Sequence, residues 1–383
     1  MTTDAASSTL SDAERLDWLR LIRTENVGPI GFRHLLERFG SAHAALDALP
    51  QLARRVGRTR PLKLCPAVAA EREMEALHRF GARLVGRGEP AYPVPLAAIE
   101  DAPPLLCVLG DLSLLNRRTI AVVGARAASA NGRRLAEDIA RDLGAAGFAV
   151  ASGLARGIDA AAHRGSLATG TIAVVAGGID VVYPPEHDEL YRAVAERGAV
   201  IAELPVGTVP QARHFPRRNR LISGLSLGVL VVEAALQSGS LITARFALEQ
   251  GRDVLAVPGS PLDPRCRGTN NLIRQGANLA ESAADVLAAV TAMTQPIREI
   301  ANDFHSGQQL SEINDISIES SVHATVEDLL GPDPVAVDEL VRQCHLSAAA
   351  VRAVLLELEL AGRLERHAGN RVSLLLTNRP HGS

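Results

Sequence analysis

The chain of 383 residues contains almost no lysine, since Lys63 stands alone among 40 lysines and arginines. A P-loop lysine, a Schiff-base lysine and a lysine general base are therefore excluded from the chain beyond that position. Four cysteines are scattered without a Cys-x-x-Cys pair, which indicates reduced thiols and no structural zinc. Aromatic residues are only 3% of the chain, so any binding surface can use few stacked rings.

Long apolar runs are also absent. The longest uncharged run covers residues 165–179 and contains four glycines, which is too short and too broken to span a bilayer. The N-terminus carries acidic residues where a signal peptide has a cationic and an apolar region. We therefore expect a cytoplasmic protein without membrane contact. With 47% apolar residues, the chain is long enough for two or three packed domains.

The first part of the chain, residues 1–78, is predicted to be a helical module. Apolar residues recur at helical spacing on both sides of Asn26-Val-Gly-Pro-Ile-Gly31. A Gly-x-x-Gly turn between two helices is typical of helix-hairpin-helix or sterile-alpha-motif (SAM) units. Such a turn can hold a phosphate through backbone amides, but a module that only packs against other helices is equally compatible with the pattern.

Residues 79–294 alternate between strand and helix patterns, which predicts an α/β domain. Alternation of this kind indicates a doubly wound, mostly parallel sheet with helices on both faces. Ligands of such sheets bind beyond the carboxyl ends of the strands. The predicted strands are 83–86, 105–109, 119–123, 148–152, 171–176, 199–202, 228–233 and 253–257.

The C-terminal part is predicted to be a winged helix, residues 322–383, after a polar linker, residues 295–321. Two short helices at 324–330 and 335–344 precede a third that Ser347 can cap, and a hairpin turns at Gly369-Asn370. The third helix carries Arg352 against Glu357 and Glu359. A helix that reads a DNA groove should be cationic, so a docking or accessory role is expected here.

Several strand ends run into loops suited to anions. The first, Gly124-Ala-Arg-Ala-Ala-Ser129, is not a Gly-x-Gly-x-x-Gly fingerprint, because arginine and serine replace the later glycines. Its arginine could contact a ligand or form a structural ion pair. Gly153 and Arg156 follow the next strand, and Ser238-Gly-Ser-Leu-Ile-Thr243 opens a later helix. No acid, base and nucleophile converge, and no metal-ligand spacing occurs, so these loops indicate binding without a metal or cofactor.

A basic segment adds to this edge. Residues 211–275 contain nine arginines and four acidic residues, a net charge of +5 in a chain of net charge −3. Within it, Arg217-Arg-Asn-Arg220 precedes the buried strand pattern at 228–232. Guanidinium groups held at a sheet edge match phosphate oxygens, although a solvated cationic helix turn also explains such a run.

Four blocks in this order resemble the DNA-processing protein A family (DprA, also Smf): VVGARAAS, SGLARGIDAAAHRG, HFPRRNRLISGLS and GVLVVEAALQSGSLITARFALEQGRDVLAVPGS. The resemblance covers most of residues 82–292, and the flanking modules fit the layout of longer members. It implies an extended Rossmann-like core that binds single-stranded DNA without sequence preference and forms homodimers. It further implies protection of incoming DNA and loading of the RecA recombinase during natural transformation, with no catalytic activity.

The resemblance also assigns candidate DNA-binding residues. The family's phosphate-binding arginine corresponds to Arg126, and its basic pocket corresponds to residues 215–220. Ala125 stands where the family usually has serine, which removes one hydroxyl donor. The full set expected to bind DNA is Gly124, Ala125, Arg126, Ser129, Gly153, Arg156, Phe215, Arg217, Arg218, Asn219, Arg220, Ser238, Gly239, Ser240 and Thr243.

Two alternatives remain at this point. A phosphoribohydrolase-like enzyme would need an acid after the turn at 238–243, where this chain has Ala244 and Arg245. A passive nucleotide-binding protein, with a mononucleotide in the same pocket, is compatible with all of these motifs.

Overall fold

The computed structural model describes residues 9–55, 61–294, 320–367 and 369–375. Almost all of the predicted linker, 295–321, therefore lies outside the described residues. The helices are α1 Asp12–Ile22, α2 Pro29–Phe39, α3 Ala42–Arg55, α4 Ala67–Phe80, α5 Val94–Ala97, α6 Ala130–Ala145, α7 Ile158–Ser166, α8 Asp188–Arg197, α9 His214–Gly224, α10 Gly239–Glu249, α11 Arg267–Arg274, α12 Ala283–Thr294, α13 Ser320–Asp328, α14 Val337–Cys344 and α15 Ala348–Leu360. The strands are β1 Arg83–Gly86, β2 Leu105–Gly110, β3 Thr119–Val123, β4 Ala149–Ser152, β5 Thr171–Val174, β6 Ala199–Ala202, β7 Gly228–Val231, β8 Asp253–Ala256, β9 Asn278–Leu279, β10 Val335–Ala336, β11 Leu364–His367 and β12 Arg371–Leu374.

A mostly parallel sheet dominates the described chain. Its nine strands lie in the order β1-β2-β6-β5-β4-β3-β7-β8-β9. The pairs from β6 to β9 are parallel, whereas β1–β2 and β2–β6 are antiparallel. The eight predicted strands and the predicted fold class are confirmed. The two-residue strand β9 was not predicted, because it is too short to show a periodic pattern.

The apolar strand patterns arise because the sheet is buried on both faces. In β3, Ile120 and Val122 enter one core with α6, α7 and α12, while the alternate residues Ala121 and Val123 enter another with α9, α10 and α11. All five residues of β3 and all four of β7 are buried. Since successive side chains of a strand point to opposite faces, both sets must be apolar.

The strand order creates a crevice beside β3. From β3 the chain winds outward through β4, β5 and β6, and it then returns to place β7 against the other side of β3. The connections after β3 and β7 therefore diverge at a topological switch point, where open parallel sheets bind their ligands. The loops at 124–129, 153–157 and 232–238 all lie at this carboxyl edge.

The first two of these loops are packed together at Gly157. Its φ is 76°, and the amide of Ile158 donates a hydrogen bond to the carbonyl oxygen of Ala125 at 3.2 Å. A Cβ on Gly157 would lie only 2.2 Å from that oxygen. Only glycine satisfies both conditions, so residue 157 fixes the approach of the second loop to the first.

Contacts divide the chain into two compact units. One comprises Met1–Ile22 and Cys65–Ala292, and the other comprises Arg23–Leu64 and Met293–Ser383. Helices α1 and α4 thus belong with the sheet, whereas α2 and α3 belong with the C-terminal region. The helices within residues 1–78 are shared between the units, and the boundaries after residues 78, 294 and 321 stay predictions.

The C-terminal region has the predicted order of a winged helix. Ser347 caps α15 by accepting a hydrogen bond from the amide of Ala350 at 3.2 Å. Gly369 and Asn370 have φ values of 75° and 52°, as a tight hairpin turn requires. Helix α14 starts two residues later than expected, because Val335 and Ala336 pair with β12.

Replacing Gly157 with alanine should lower the free energy of unfolding by about 3 kcal/mol, because it combines a left-handed backbone with a backbone clash. Gly147→Ala is the matched control, since its φ is 88° but nothing lies within 4 Å of an added Cβ. There we expect a loss of about 1 kcal/mol. Urea unfolding followed by circular dichroism measures both losses, and equal losses would contradict the packing of the two loops.

Candidate nucleic-acid interface

The buried side chain of Arg218 joins the strand ends that lie beneath the site. Only 6% of this residue is exposed. Its Nη1 donates hydrogen bonds to the carbonyl oxygens of Gly153, at 2.6 Å, and of Val174. These carbonyls lie at the ends of β4 and β5. One guanidinium group therefore ties two adjacent strand ends together from the side of α9.

Asp159 supplies the opposite charge beneath the second loop. Its Oδ2 accepts hydrogen bonds from the amides of Gly153 and Ala155, at 3.1 and 3.3 Å. Burial raises the pKa of Asp159 above its ordinary value, while the nearby Arg218 and these amides oppose that change. Burial likewise lowers the pKa of Arg218 to about 10, opposed by Asp159, so Arg218 remains cationic at neutral pH.

Two histidines hold the backbone of Leu154 in the same loop. The amide of Leu154 donates to Nε2 of His163 at 3.3 Å, so Nδ1 of that ring carries the proton and donates to Oγ1 of Thr171 at 2.7 Å. Nδ1 of His187 donates to the carbonyl oxygen of Leu154 at 2.9 Å. Burial lowers the pKa of His163 to about 3, which keeps it neutral. Both ring nitrogens of His163 are thus engaged within the protein, and its role is structural.

The basic segment is a helix, and only part of it is exposed, which corrects the expectation that Arg217, Arg218 and Arg220 together face a phosphate backbone. Residues 214–224 form α9, and successive residues of a helix point about 100° apart. Arg217 is exposed, whereas Arg218 and Arg220 are buried. Four consecutive polar side chains therefore cannot share one surface.

Arg220 and Asn219 are engaged within the protein. Arg220 forms ion pairs with Glu203 at 2.5 Å and Asp101 at 3.3 Å, and it donates to the carbonyl oxygen of Asp101. The amide of Asn219 donates to the carbonyl oxygen of Gly239 at 3.2 Å. Both contacts fix α9 to neighbouring segments, and the contact of Asn219 positions the start of α10.

The start of α6 already holds an anion from within the protein. The amide and hydroxyl of Ser129 donate to the carboxylate of Glu233, at 2.9 and 2.5 Å. The same hydroxyl caps α6 by accepting from the amide of Gly132. Glu233 is buried. The carboxylate of Glu233 is thus held at a helix N-terminus, where a negative charge is stabilised.

The start of α10 faces the crevice. Ser238 caps this helix, and its hydroxyl lies 2.7 Å from that of Ser240. Gly239 is exposed, with no atom within 4 Å of an added Cβ. The first amides of an eleven-residue helix therefore border open space, an arrangement that favours anions.

An aromatic pair and an arginine form the opposite wall. The ring centroids of Tyr183 and Phe215 are 5.6 Å apart with an interplanar angle of 56°. The guanidinium carbon of Arg126 lies 5.0 Å from the Phe215 centroid, within the range of a cation–π contact. Tyr183 is 43% exposed and was not predicted. Its position in the loop after β5, at the carboxyl edge, was the only available signal.

These walls enclose a continuous set of cavities. A cleft of about 780 Å³ adjoins a pocket of about 210 Å³, and both are lined by Arg126, Tyr183, Phe215 and Arg218. Arg156 borders the pocket in an ion pair with Glu186. The larger cleft is also lined by the predicted residues Gly124, Ala125, Asn219, Ser238, Gly239, Ser240 and Thr243, and the pocket by Gly153.

Three predicted residues do not line either cavity. Ser129 is engaged with Glu233, and Arg220 with Glu203 and Asp101. Arg217 borders a separate small recess beside His214. Conversely, the larger cleft includes Arg265, which was not among the predicted contacts and which forms an ion pair with Asp263 at 2.8 Å.

Comparison with known proteins connects this architecture to a family. A family model described as DNA recombination-mediator protein A matches residues 83–291, more than half of the chain. The chain belongs to this family. A DprA-like N-terminal helix-hairpin-helix domain matches residues 12–76, and a DprA winged helix domain matches residues 315–370. The resemblance inferred from the motifs is therefore confirmed.

Curated members of the family match over most of the chain. Protein Smf of Escherichia coli K12 is 40% identical over 288 residues, 74% of this chain and 75% of that protein. Protein Smf of Synechocystis is 30% identical over 399 residues, 94% of this chain and 99% of that protein. DNA processing protein DprA of Streptococcus pneumoniae is 46% identical over 199 residues, 51% of this chain and 70% of that protein.

Two solved structures share the fold. DprA from Streptococcus pneumoniae has a TM-score of 0.61 at 36% identity, covering 73% of this chain and 98% of that structure. DprA from Helicobacter pylori, described for its single-stranded DNA binding mode, has a TM-score of 0.51 at 25% identity, covering 55% of this chain and 96% of that structure.

Neither a membrane crossing nor a metal cluster is found in the described part of the chain. None of its described helices combines the length and apolar character that a bilayer crossing requires. Among the same residues, no group of three or more His, Cys, Asp and Glu side chains is arranged to hold a metal ion.

Arg218→Glu should lower the free energy of unfolding by about 3 kcal/mol or more, because it places a carboxylate against two carbonyl oxygens and Asp159. Arg217→Glu, one residue away on the exposed side of α9, should change it by less than about 0.5 kcal/mol. Chemical unfolding followed by circular dichroism distinguishes the two. Small and equal changes in the free energy of unfolding would indicate that both arginine side chains are exposed.

Stability should also depend on His163 below neutral pH. The unfolded chain protonates this residue near its ordinary pKa of 6.5, whereas the folded protein does so only near 3. The free energy of unfolding should therefore fall as the pH drops from about 6.5 towards 3, by up to about 1.4 kcal/mol per pH unit from this residue. His163→Asn should remove that contribution, and an unchanged slope against pH would contradict the assignment.

Proposed function

We propose that the chain binds single-stranded DNA without sequence preference along the cleft beside β3 and β7. The observation that carries the proposal is the pairing of two different walls across one open cleft. One wall offers the amides of α10, and the other offers the Arg126 guanidinium over half-buried Phe215, beside exposed Tyr183. A flexible polynucleotide presents phosphates and base faces, and it can use both.

The phosphate contacts are assigned to Arg126 and to the α10 start at Ser238, Gly239 and Ser240. Arg126 is exposed, and its guanidinium faces an aromatic ring. An arginine in this setting retains its charge and its fork of donors for phosphate oxygens. Backbone amides at a helix start add donors without any base specificity. Gly124, Ala125, Gly153, Arg156 and Thr243 are proposed as the surrounding contact surface.

The base contacts are assigned to Phe215 and Tyr183. A base that stacks on such rings contributes about 1–3 kcal/mol whatever its identity, since every base has a π face. Among the described residues that line the cleft only Phe215 and Tyr183 carry aromatic rings, so we expect charge to supply the larger part of the affinity. Arg218 and Asn219 act from beneath this surface, by fixing the second loop and the start of α10. Ser129, Arg217 and Arg220 are left with no proposed DNA contact.

The biological role follows from family membership and remains part of the proposal. We infer that the protein protects single strands entering the cell during natural transformation and loads RecA recombinase onto them. A homodimer formed through the sheet-containing domain and a cytoplasmic location belong to the same proposal. The names of the relatives, DNA processing protein and Smf, are consistent with it.

Binding without bond cleavage is favoured over a phosphoribohydrolase-like reaction. Glu233 is the acid nearest the crevice loops in the sequence, but its carboxylate is held by Ser129. After Thr243 the chain continues with Ala244 and Arg245, so that helix turn offers no acid. We propose that nucleotides bind here only as parts of a strand.

The test is a comparison of two charge reversals in binding to a labelled oligo-dT. Arg126→Glu should weaken binding at least tenfold, or about 1.4 kcal/mol, and should reduce the slope of log affinity against log salt by about 0.7 for each phosphate group that is no longer neutralised. Arg164→Glu is the matched control. Arg164 is exposed near the end of α7, towards the opposite edge of the sheet, and should change affinity less than about twofold.

Competition completes the same experiment. Unlabelled oligo-dT should displace the probe at lower concentrations than duplex DNA or a mononucleotide. Equal losses from the two charge reversals would show that the cleft is not the site. Displacement by a mononucleotide as effective as by the strand would support the nucleotide-binding alternative, and multiple turnover of a nucleotide would support the enzyme.

A further inference from the structure

The C-terminal half of the outward face of α15 is not available to solvent, whereas Ala349 and Arg352 in its N-terminal half are exposed. In winged helices that read DNA, the third helix enters the major groove, so its outward face must be open. Here Leu356 is 3% exposed and Leu360 is fully buried. Leu356 does not belong to the cluster that forms the winged-helix core, which takes Val351, Val354, Leu355 and Leu358 from the same helix. Something other than that core covers this face.

The covering element is the hairpin of α2 and α3, which lies in the same compact unit as the winged helix. A Cβ on Gly31 would lie 3.5 Å from Cδ1 of Leu356. A Cβ on Gly28 would lie 3.4 Å from Oε1 of Glu359. Both distances are those of ordinary van der Waals contact, so they place the start of α2 directly beside Leu356 and Glu359 of α15.

A polar contact closes one end of this interface. The side-chain amide of Asn26 donates to the carbonyl oxygen of Leu360 at 3.2 Å. That carbonyl lies at the end of α15, where the last carbonyl oxygens of a helix have no N–H donors from the helix itself. Asn26 has a φ of 60°, a left-handed conformation that asparagine tolerates better than most residues. The turn before α2 therefore caps α15.

Charged groups near the interface are largely withdrawn from water. Glu359 pairs with Arg366 of β11 at 2.9 Å, and both side chains are mostly buried. Burial lowers the pKa of His34 in α2 to about 4, and Arg366, Arg33 and Arg352 lower it further. Two of those arginines belong to the winged helix. The neutral ring of His34 is thus close to the cations of the C-terminal region.

We propose that the C-terminal half of the outward face of α15 is an internal docking surface whose occupant is the α2–α3 hairpin of the same chain, residues 23–55. This half of the third helix is thereby used for packing within the chain. The C-terminal domain is then held to the hairpin by contact as well as by the covalent chain. This inference concerns a different surface from the cleft and does not depend on the proposed function.

The experiment uses the full chain with a protease recognition sequence inserted after residue 305. Complete cleavage, checked on a denaturing gel, leaves the winged helix joined to the hairpin only by the docking surface. We expect the two fragments to elute together in size exclusion at micromolar concentration. Glu359→Arg should weaken this association at least tenfold, because the long cation meets Gly28, Gly31 and Arg366.

Two further variants keep the result interpretable. Glu365→Arg makes the same substitution at an exposed residue of β11 and should leave the fragments together. Leu356→Ala only shortens a side chain outside the winged-helix core and should also release the fragment. Circular dichroism of the released fragment monitors its fold. Separation of the unsubstituted fragments, or retention by both Glu359→Arg and Leu356→Ala, would overturn the proposal.

Discussion

A buried positive charge beneath the crevice is the constraint on which the candidate site depends. The Arg218 guanidinium joins the ends of β4 and β5 through the carbonyls of Gly153 and Val174, with Asp159 as its counter-charge. A charge in this position is tolerated because carbonyl oxygens and a carboxylate take the place of water. The rigid second loop that results supports the first loop and hence the exposed Arg126.

Similar residues have different roles according to where the fold places them. Three arginines within one turn of α9 illustrate this. Arg217 is exposed, Arg218 is buried and joins two strand ends, and Arg220 is buried in ion pairs. The same division appears among acids, because Glu233 binds the capping residue Ser129 at the start of α6, whereas Asp159 balances a buried cation. Affinity for a polyanion therefore depends on the few cations that face the cleft rather than on the net charge of the segment.

The local patterns predicted the sheet and the winged helix well. The eight strands, the Ser347 cap and the turn at Gly369-Asn370 depend on short-range chemistry that a sequence displays directly. For the segment of α9 a helix turn was only one of two interpretations, because its buried polar residues obscure the apolar period. The place of Tyr183 and the docking of α2 on α15 depend on contacts between distant segments, which no local pattern contains. The sequence showed that α15 is not cationic, but it did not show which segment packs against this helix.

The passage of the chain between its two units bears on how fragments of this protein behave. The chain leaves the sheet-containing unit after residue 22, returns at residue 65 and leaves again after residue 292. A C-terminal fragment that starts after the sheet would lack the hairpin and would expose Leu356 and Leu360 together. Adjacent exposed leucines favour self-association. Isolated winged-helix fragments are therefore prone to aggregate, and co-expression with residues 23–64 offers a route to soluble material.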